Sequence, residues 1–133
     1  MELVLDASVT VAWAMQDESE PLAESVLRTV QAGAAAVPVI WWYEVRNILV
    51  MNERRGRIET SASERFLVEL LDMPIRVDPF NSDREMPELA RRSGLTVYDA
   101  AYLDLALREG LPLATLDKAL RRAARSAGVA LLT

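Results

Sequence analysis

The sequence predicts an α/β fold with a mainly parallel central sheet and helices on both faces, and three observations predict it. Short unbroken apolar runs at Leu3-Val4-Leu5 and Leu113-Ala114-Thr115-Leu116 have the pattern of strands buried on both faces. Segments with apolar residues three and four apart alternate with such runs, as parallel strands joined by helices require. A length of 133 residues suits one ordinary domain, so residues 1–133 are expected to share a single core.

After the first strand, an apolar-periodic stretch through Val9, Ala12 and Trp13 reads as a helix. A polar break from Gln16 to Glu20 follows. Pro21 then occupies a first-turn position, and Leu22, Val26, Leu27 and Val30 recur at helical spacing until Gly33. Ala35-Ala36-Val37-Pro38 is a weak strand. Ile40 to Asn52 reads as a helix with Tyr43, Glu44, Asn47, Ile48 and Met51 on one side, ended by Gly56. Thr60 or Ser61 is expected to cap a helix through Phe66, Leu67, Leu70 and Leu71. Ile75-Arg76-Val77-Asp78 is a strand between two prolines, and Ser82 to Ser93 a helix stopped before Gly94. Thr96-Val97-Tyr98-Asp99 has capping-box spacing and opens a helix to Arg108, with Gly110 beyond it. Asp117 is placed to cap a helix from Lys118 to Ser126, and Val129 to Leu132 reads as a last strand.

Composition removes whole classes of chemistry. With no Cys and no His, the chain has no disulfide, zinc finger, haem or Ser-His mechanism, so any reaction must use oxygen donors. The N-terminal residues lack the basic and apolar regions of a signal peptide, and no run of 18 apolar residues occurs; a cytoplasmic protein with no membrane association is expected. A net charge of −5 argues against general electrostatic binding to nucleic acid, although fourteen of the fifteen basic residues are arginines, suited to local phosphate contacts.

The acidic residues carry the most information. Asp6 and Asp117 each follow a strand, where the ligand crevice of an open parallel sheet lies, although either also suits a turn or a cap. Asp99 shares a helical stripe with Tyr102, Leu103 and Ala106, and Glu44 shares one with Asn47, Ile48 and Met51. Asp104 lies on another side of its helix, spaced to pair with Arg108, and reads as a solvated surface charge. An ionised carboxylate on an apolar face needs a partner, either an arginine such as Arg46 or Arg76 or a cation. If Asp6, Glu44, Asp99 and Asp117 converge, their repulsion calls for a divalent metal, and with oxygen donors alone Mg²⁺ or Mn²⁺ is preferred. Such a site suits phosphodiester hydrolysis.

The chain resembles PIN-domain ribonucleases, specifically the VapC-type toxins of VapBC toxin–antitoxin pairs. The likeness spans nearly the whole length. It rests on Val4-Leu5-Asp6-Ala7-Ser8, Val37-Pro38 followed by Glu44-Val45-Arg46-Asn47-Ile48-Leu49, Thr96-Val97-Tyr98-Asp99-Ala100-Ala101-Tyr102, and Ala114-Thr115-Leu116-Asp117. The resemblance implies a PIN-like fold and an acidic metal site of Asp6, Glu44, Asp99 and Asp117, with Ser8 and Thr115 as supporting hydroxyls. It also implies Mg²⁺- or Mn²⁺-dependent endoribonuclease activity on RNA, a homodimer, and a cognate antitoxin. Ala7-Ser8 stands where relatives commonly carry Thr-Asn, and Lys118 where many carry another aspartate.

Other functions compatible with the pattern are a PIN-like RNA-processing nuclease outside a toxin–antitoxin pair, a phosphoacceptor domain and a non-catalytic interaction module. A dehalogenase-like phosphoacceptor would want an acid at position 8, which is Ser8, and a receiver would want a lysine after the last strand. The run Trp41-Trp42-Tyr43 is too broad for one helix face, so at least one ring is expected at the surface, for a dimer or antitoxin contact or for base stacking.

Overall fold

The computed structural model describes residues 1–15, 19–80 and 82–133; the expected polar break at 16–20 lies partly outside them. The chain begins with β1 (Glu2–Leu5), followed by α1 (Ala7–Ala12), α2 (Pro21–Ala32), β2 (Ala34–Pro38) and α3 (Ile40–Arg54). It continues through α4 (Thr60–Leu71), β3 (Ile75–Asp78), α5 (Glu85–Ser93), α6 (Val97–Glu109), β4 (Leu113–Ala114) and α7 (Lys118–Ser126).

The four strands form one sheet in the order β3-β2-β1-β4, and every pairing is parallel. Leu3, Val4 and Leu5 are fully buried, as are Ala35, Ala36 and Val37. Successive strand residues face opposite sides, so helices must cover both faces, as the apolar runs required. From β1 the chain steps outward to β2 and β3, then returns to the other flank of β1 for β4. The direction of winding reverses between β1 and β4, and the crevice for a ligand lies at the carboxyl ends of strands at such a point.

The helix ends follow their local chemistry. Gly94 and Gly110 close α5 and α6 in the left-handed conformation, with φ of 66° and 65°, which glycine adopts without a Cβ penalty. Thr96 caps α6 by accepting from the Asp99 N–H, and Asp117 caps α7 by accepting from the Leu120 N–H.

Several boundaries differ from expectation. α4 has Glu59 at its cap position and no side-chain cap; Thr60 instead donates its hydroxyl to Glu53 at 2.9 Å. α5 starts at Glu85 rather than Ser82, because Ser82 turns inward towards Asp104. β4 stops at Ala114, since Thr115 and the Leu116 N–H are directed to the side chains of Asp6 and Ser8. The last strand reduces to a single parallel bridge between Leu113 and Leu131, in which the Leu113 N–H donates to the Ala130 carbonyl and the Leu113 carbonyl accepts from the Leu132 N–H. The buried stripe of α3 is Trp41, Val45, Leu49 and Asn52, while Tyr43 and Asn47 face outward, so Glu44 lies at the margin of that stripe. Among the described residues, no helix is long and apolar enough to cross a membrane.

Candidate metal centre

Asp6 is the first residue beyond β1, and its N–H donates to the Ala114 carbonyl of β4 at 3.0 Å. That bond seats the side chain at the carboxyl ends of both strands. The carboxylate is buried, and its Oδ2 accepts from Ser8 Oγ at 2.7 Å and from Thr115 Oγ1 at 2.6 Å. Each hydroxyl also accepts a backbone N–H, Ser8 from Leu116 and Thr115 from Asp117, both at 3.0 Å. A hydroxyl has one proton to give, so both donate it to Asp6 and the network is polarised towards the carboxylate.

Glu44 arrives from the first turns of α3, which follows β2. Its Oε1 accepts from the Tyr102 hydroxyl of α6 at 2.6 Å. Asp99 comes from the first turn of α6, three residues before Tyr102, so this bond brings the faces bearing Glu44 and Asp99 together. Asp117 follows β4 and both caps α7 and approaches the other acids.

The electrostatics link all four residues. Burial pushes the Asp6 carboxyl up, the hydrogen bonds from Thr115 and Ser8 oppose this, and the Asp117 charge adds to the rise. Glu44 is raised by burial, opposed by Tyr102, and raised further by Asp6 and Asp99. Asp99 is raised by burial and then by Asp117 and Asp6. Among the described residues, none of the four forms an ion pair with Arg or Lys. Arg76 is committed to Glu2 and Glu109, and Arg46 lies over the Trp42 ring, so neither arginine considered for Glu44 reaches it.

This donor set fits a hard divalent cation in kind, being all carboxylate and, among the described residues, paired with no Arg or Lys. Among the described residues no three acids form a ready-made ligand group. Unneutralised like charges repel one another, and Asp6, Glu44 and Asp117 are each held by a hydrogen-bond donor of the protein.

Sequence reasoning missed three supporting residues. Tyr102 is fully buried, and its hydroxyl, pushed up by burial and by the charges of Asp6 and Glu44, remains a proton donor. Trp41 donates through Nε1 to Thr10 Oγ1 at 2.9 Å, and Thr10 Oγ1 donates to the Asp6 carbonyl at 3.1 Å. Trp41 and Tyr102 each sit three residues from a site acid, which is the signal that could have found them.

Asp104 corrects an expectation. It pairs with Arg108 at 2.8 Å as its spacing suggested, but it is only 5% exposed and accepts from Ser82. Residues 100–106 of α6 are all buried, so a helix-phase argument for an exposed face fails there.

A cleft of about 350 Å³, lined by Trp13, Met15, Ile58 and Phe66 among others, lies apart from these acids.

A family model for the PIN domain matches residues 3–126. The curated protein Ribonuclease VapC3 of Pyrobaculum aerophilum is 34% identical over 123 residues, covering 90% of this chain and 92% of that protein. The crystal structure of PAE2754 from the same organism superposes with a TM-score of 0.77 at 26% identity, covering 99% of this chain and 90% of the other. A toxin–antitoxin complex from Klebsiella pneumoniae shares the fold, with a TM-score of 0.58 at 18% identity and 86% of each chain covered. With a parallel four-stranded sheet, acids at its carboxyl end and these likenesses along nearly its whole length, the chain belongs to the PIN domain family and is related to the VapC ribonuclease toxins.

Proposed function

We propose that this protein, as a single domain over residues 1–133, is a Mg²⁺- or Mn²⁺-dependent endoribonuclease and the toxin of a type II toxin–antitoxin pair. The observation that carries the reading is the placement of Asp6 and Asp117 after β1 and β4 at the switch point of the sheet, with Glu44 and Asp99 on the helices that the Tyr102–Glu44 bond joins, each of Asp6, Glu44 and Asp99 being raised in part by the charge of another of these acids, and with no protein cation paired to the four among the described residues.

In this reading Asp6, Asp99 and Asp117 hold the cation directly or through water, with Glu44 beside them. The chemistry that a divalent cation supplies in such a site is charge neutralisation at the phosphate and a more acidic water. Glu44, with one oxygen committed to Tyr102, orients the attacking water with its carboxylate and takes its proton. The water oxygen bonds to phosphorus as the bond to the 3′ oxygen breaks, leaving a 5′-phosphate and a 3′ oxygen that takes a proton from solvent to become the hydroxyl. Ser8 and Thr115 hold the Asp6 carboxylate in place.

The antitoxin is a proposal supported by the relatives' names. A homodimer and a cytoplasmic location belong to the same reading; a chain without Cys suits a reducing compartment.

The test is cleavage of a mixed structured RNA pool by purified, partner-free protein with Mg²⁺, Mn²⁺ or EDTA, alongside Asp99→Asn. Internal cuts that need metal and vanish in the variant support the reading. Equal cutting by wild type and variant rejects it.

A further inference from the structure

A cleft of about 430 Å³ opens between α5, α6 and α7, and none of the four site acids lines it. Its apolar side comes from Leu89 of α5, Leu107 of α6 and Ala123 of α7. Its polar side chains are two arginines and two serines: Arg92 and Ser93 at the end of α5, and Arg122 and Ser126, one turn apart, on α7. Neither arginine has an ion pair, a hydrogen bond or a ring contact among the described residues, and neither serine hydroxyl has a partner there.

The chain carries 20 acidic against 15 basic residues, so arginines without a carboxylate beside them need an explanation. The cleft near Trp13 holds Glu69 beside Arg57 and Arg65, and the hollow on α4 lined by Ser61 and Val68 holds Glu64 and Glu69 beside Arg65. The α5–α7 cleft has two arginines and no acid. Arg92 lies in the last turn of α5, where a cation suits the negative end of the helix, but Arg122 lies in the middle of α7 and has no such role. An anion accepting from both guanidinium groups would supply the charge that the protein withholds. A carboxylate has two oxygens, which one guanidinium already matches, whereas a phosphomonoester has three terminal oxygens and a charge of about −1.5 to −2 at neutral pH, enough for two guanidinium groups and the hydroxyls beside them. The apolar side of the cleft calls for a body on the ligand beyond its phosphate, and the volume lies within the range of about 300–1,000 Å³ that small-molecule sites occupy.

We propose that the cleft between α5 and α7 is a binding site for a small organic phosphate of mononucleotide size, whose phosphate is held by Arg92 and Arg122 with Ser93 and Ser126 beside them, and whose body rests on Leu89 and Leu107. The site is separate from the four acids and stands independently of the nuclease reading.

The experiment is titration calorimetry of the full chain in EDTA, which keeps metal-bridged phosphate out of the acidic site, with adenosine 5′-monophosphate, adenosine and inorganic phosphate as probes. The proteins are wild type, Arg92→Gln, Arg122→Gln, Ala119→Leu and Arg28→Gln. Arg92 and Arg122 are exposed and unpaired, so their variants should keep the wild-type melting temperature. Adenosine monophosphate should bind wild type at least about tenfold more tightly than adenosine, and more tightly than inorganic phosphate. Each of Arg92→Gln and Arg122→Gln should weaken its binding about tenfold, as for loss of charge-assisted hydrogen bonds. Ala119→Leu, which narrows the cleft without changing its charge, should weaken adenosine monophosphate and spare inorganic phosphate. Arg28→Gln removes an exposed arginine of α2, outside the cleft, and should leave the affinity unchanged.

No binding of adenosine monophosphate by wild type at millimolar concentration overturns the site, as does an affinity that survives both cleft Arg→Gln changes. Equal binding of inorganic phosphate and adenosine monophosphate, with Ala119→Leu silent or with Arg28→Gln as damaging as the cleft variants, also overturns it and leaves only attraction of anions to arginines in general. A hexaglutamate peptide that binds through Arg92 and Arg122 where adenosine monophosphate does not would overturn the phosphate and assign the cleft to an acidic protein segment.

Discussion

The Tyr102 hydroxyl donates to Glu44 Oε1 at 2.6 Å across 58 residues of sequence, joining the opening turns of α3 and α6. Removing the hydroxyl with Tyr102→Phe keeps the buried ring and its packing, so the fold should survive at a cost of about 2 kcal/mol, as for a hydrogen bond to a charged group. Cleavage should fall about ten- to a hundredfold, the usual effect of losing a supporting partner. Because this bond opposes the rise of the Glu44 proton affinity, the acid limb of the pH–rate profile should move to higher pH. A profile that stays in place would separate Tyr102 from the chemistry.

Asp6→Asn preserves shape and can still accept from Ser8 and Thr115, while removing a buried charge that Asp117 repels. Cleavage should drop roughly a hundredfold or more. In metal-free buffer the melting temperature should rise, because repulsion and desolvation are both relieved. Full activity in this variant would remove Asp6 from the mechanism.

The same acids set a pH dependence of stability. Asp6, Glu44 and Asp99 have proton affinities raised in the folded state, chiefly by burial. Between the ordinary carboxylate pKa and the raised one, the folded protein binds more protons than the unfolded chain, so stability falls as pH rises through that window. Thermal melts of metal-free protein should show this contribution as stability gained on mild acidification. Saturating Mn²⁺ should flatten it, and Asp6→Asn should reduce it. A metal-free melt insensitive to pH there would contradict the coupling.

Thr115→Val removes one of the two hydroxyl donors to Asp6 and the acceptor of the Asp117 N–H. Asp6 should become harder to ionise, and divalent-ion affinity by titration calorimetry should fall about tenfold. Thr115→Ser should restore it, since the hydroxyl rather than the methyl makes both bonds.

Asp104→Asn tests the distinction between fold and site. Arg108 keeps Asp78 as a partner at 2.8 Å, so the change should cost about 2 kcal/mol, visible as a melting temperature lower by several degrees. Cleavage per folded molecule should stay within about twofold, because Asp104 is separated from the Glu44–Tyr102 and Asp6–Thr115 bonds on its helix and in its partners.

The sequence by itself determined the α/β alternation, the parallel sheet and the four acids to examine. Strand burial on both faces leaves an unbroken apolar run such as Leu3-Val4-Leu5, and glycine after a helix marks its end at Gly94 and Gly110, so these features are written locally. The PIN-like resemblance added the order and spacing of the motifs. Only the tertiary structure decided which groups hold each acid: Ser8 and Thr115 on Asp6, Tyr102 on Glu44, and the backbone of α7 on Asp117. It also decided that β4 stops at Ala114 and that Asp104 is buried. The physical reason is that local periodicity reports one element's preference against water, whereas these outcomes depend on what lies across from it. α6 is enclosed nearly all round, so its polar Asp104 had no solvent face to turn to and was satisfied by Arg108 and Ser82 instead.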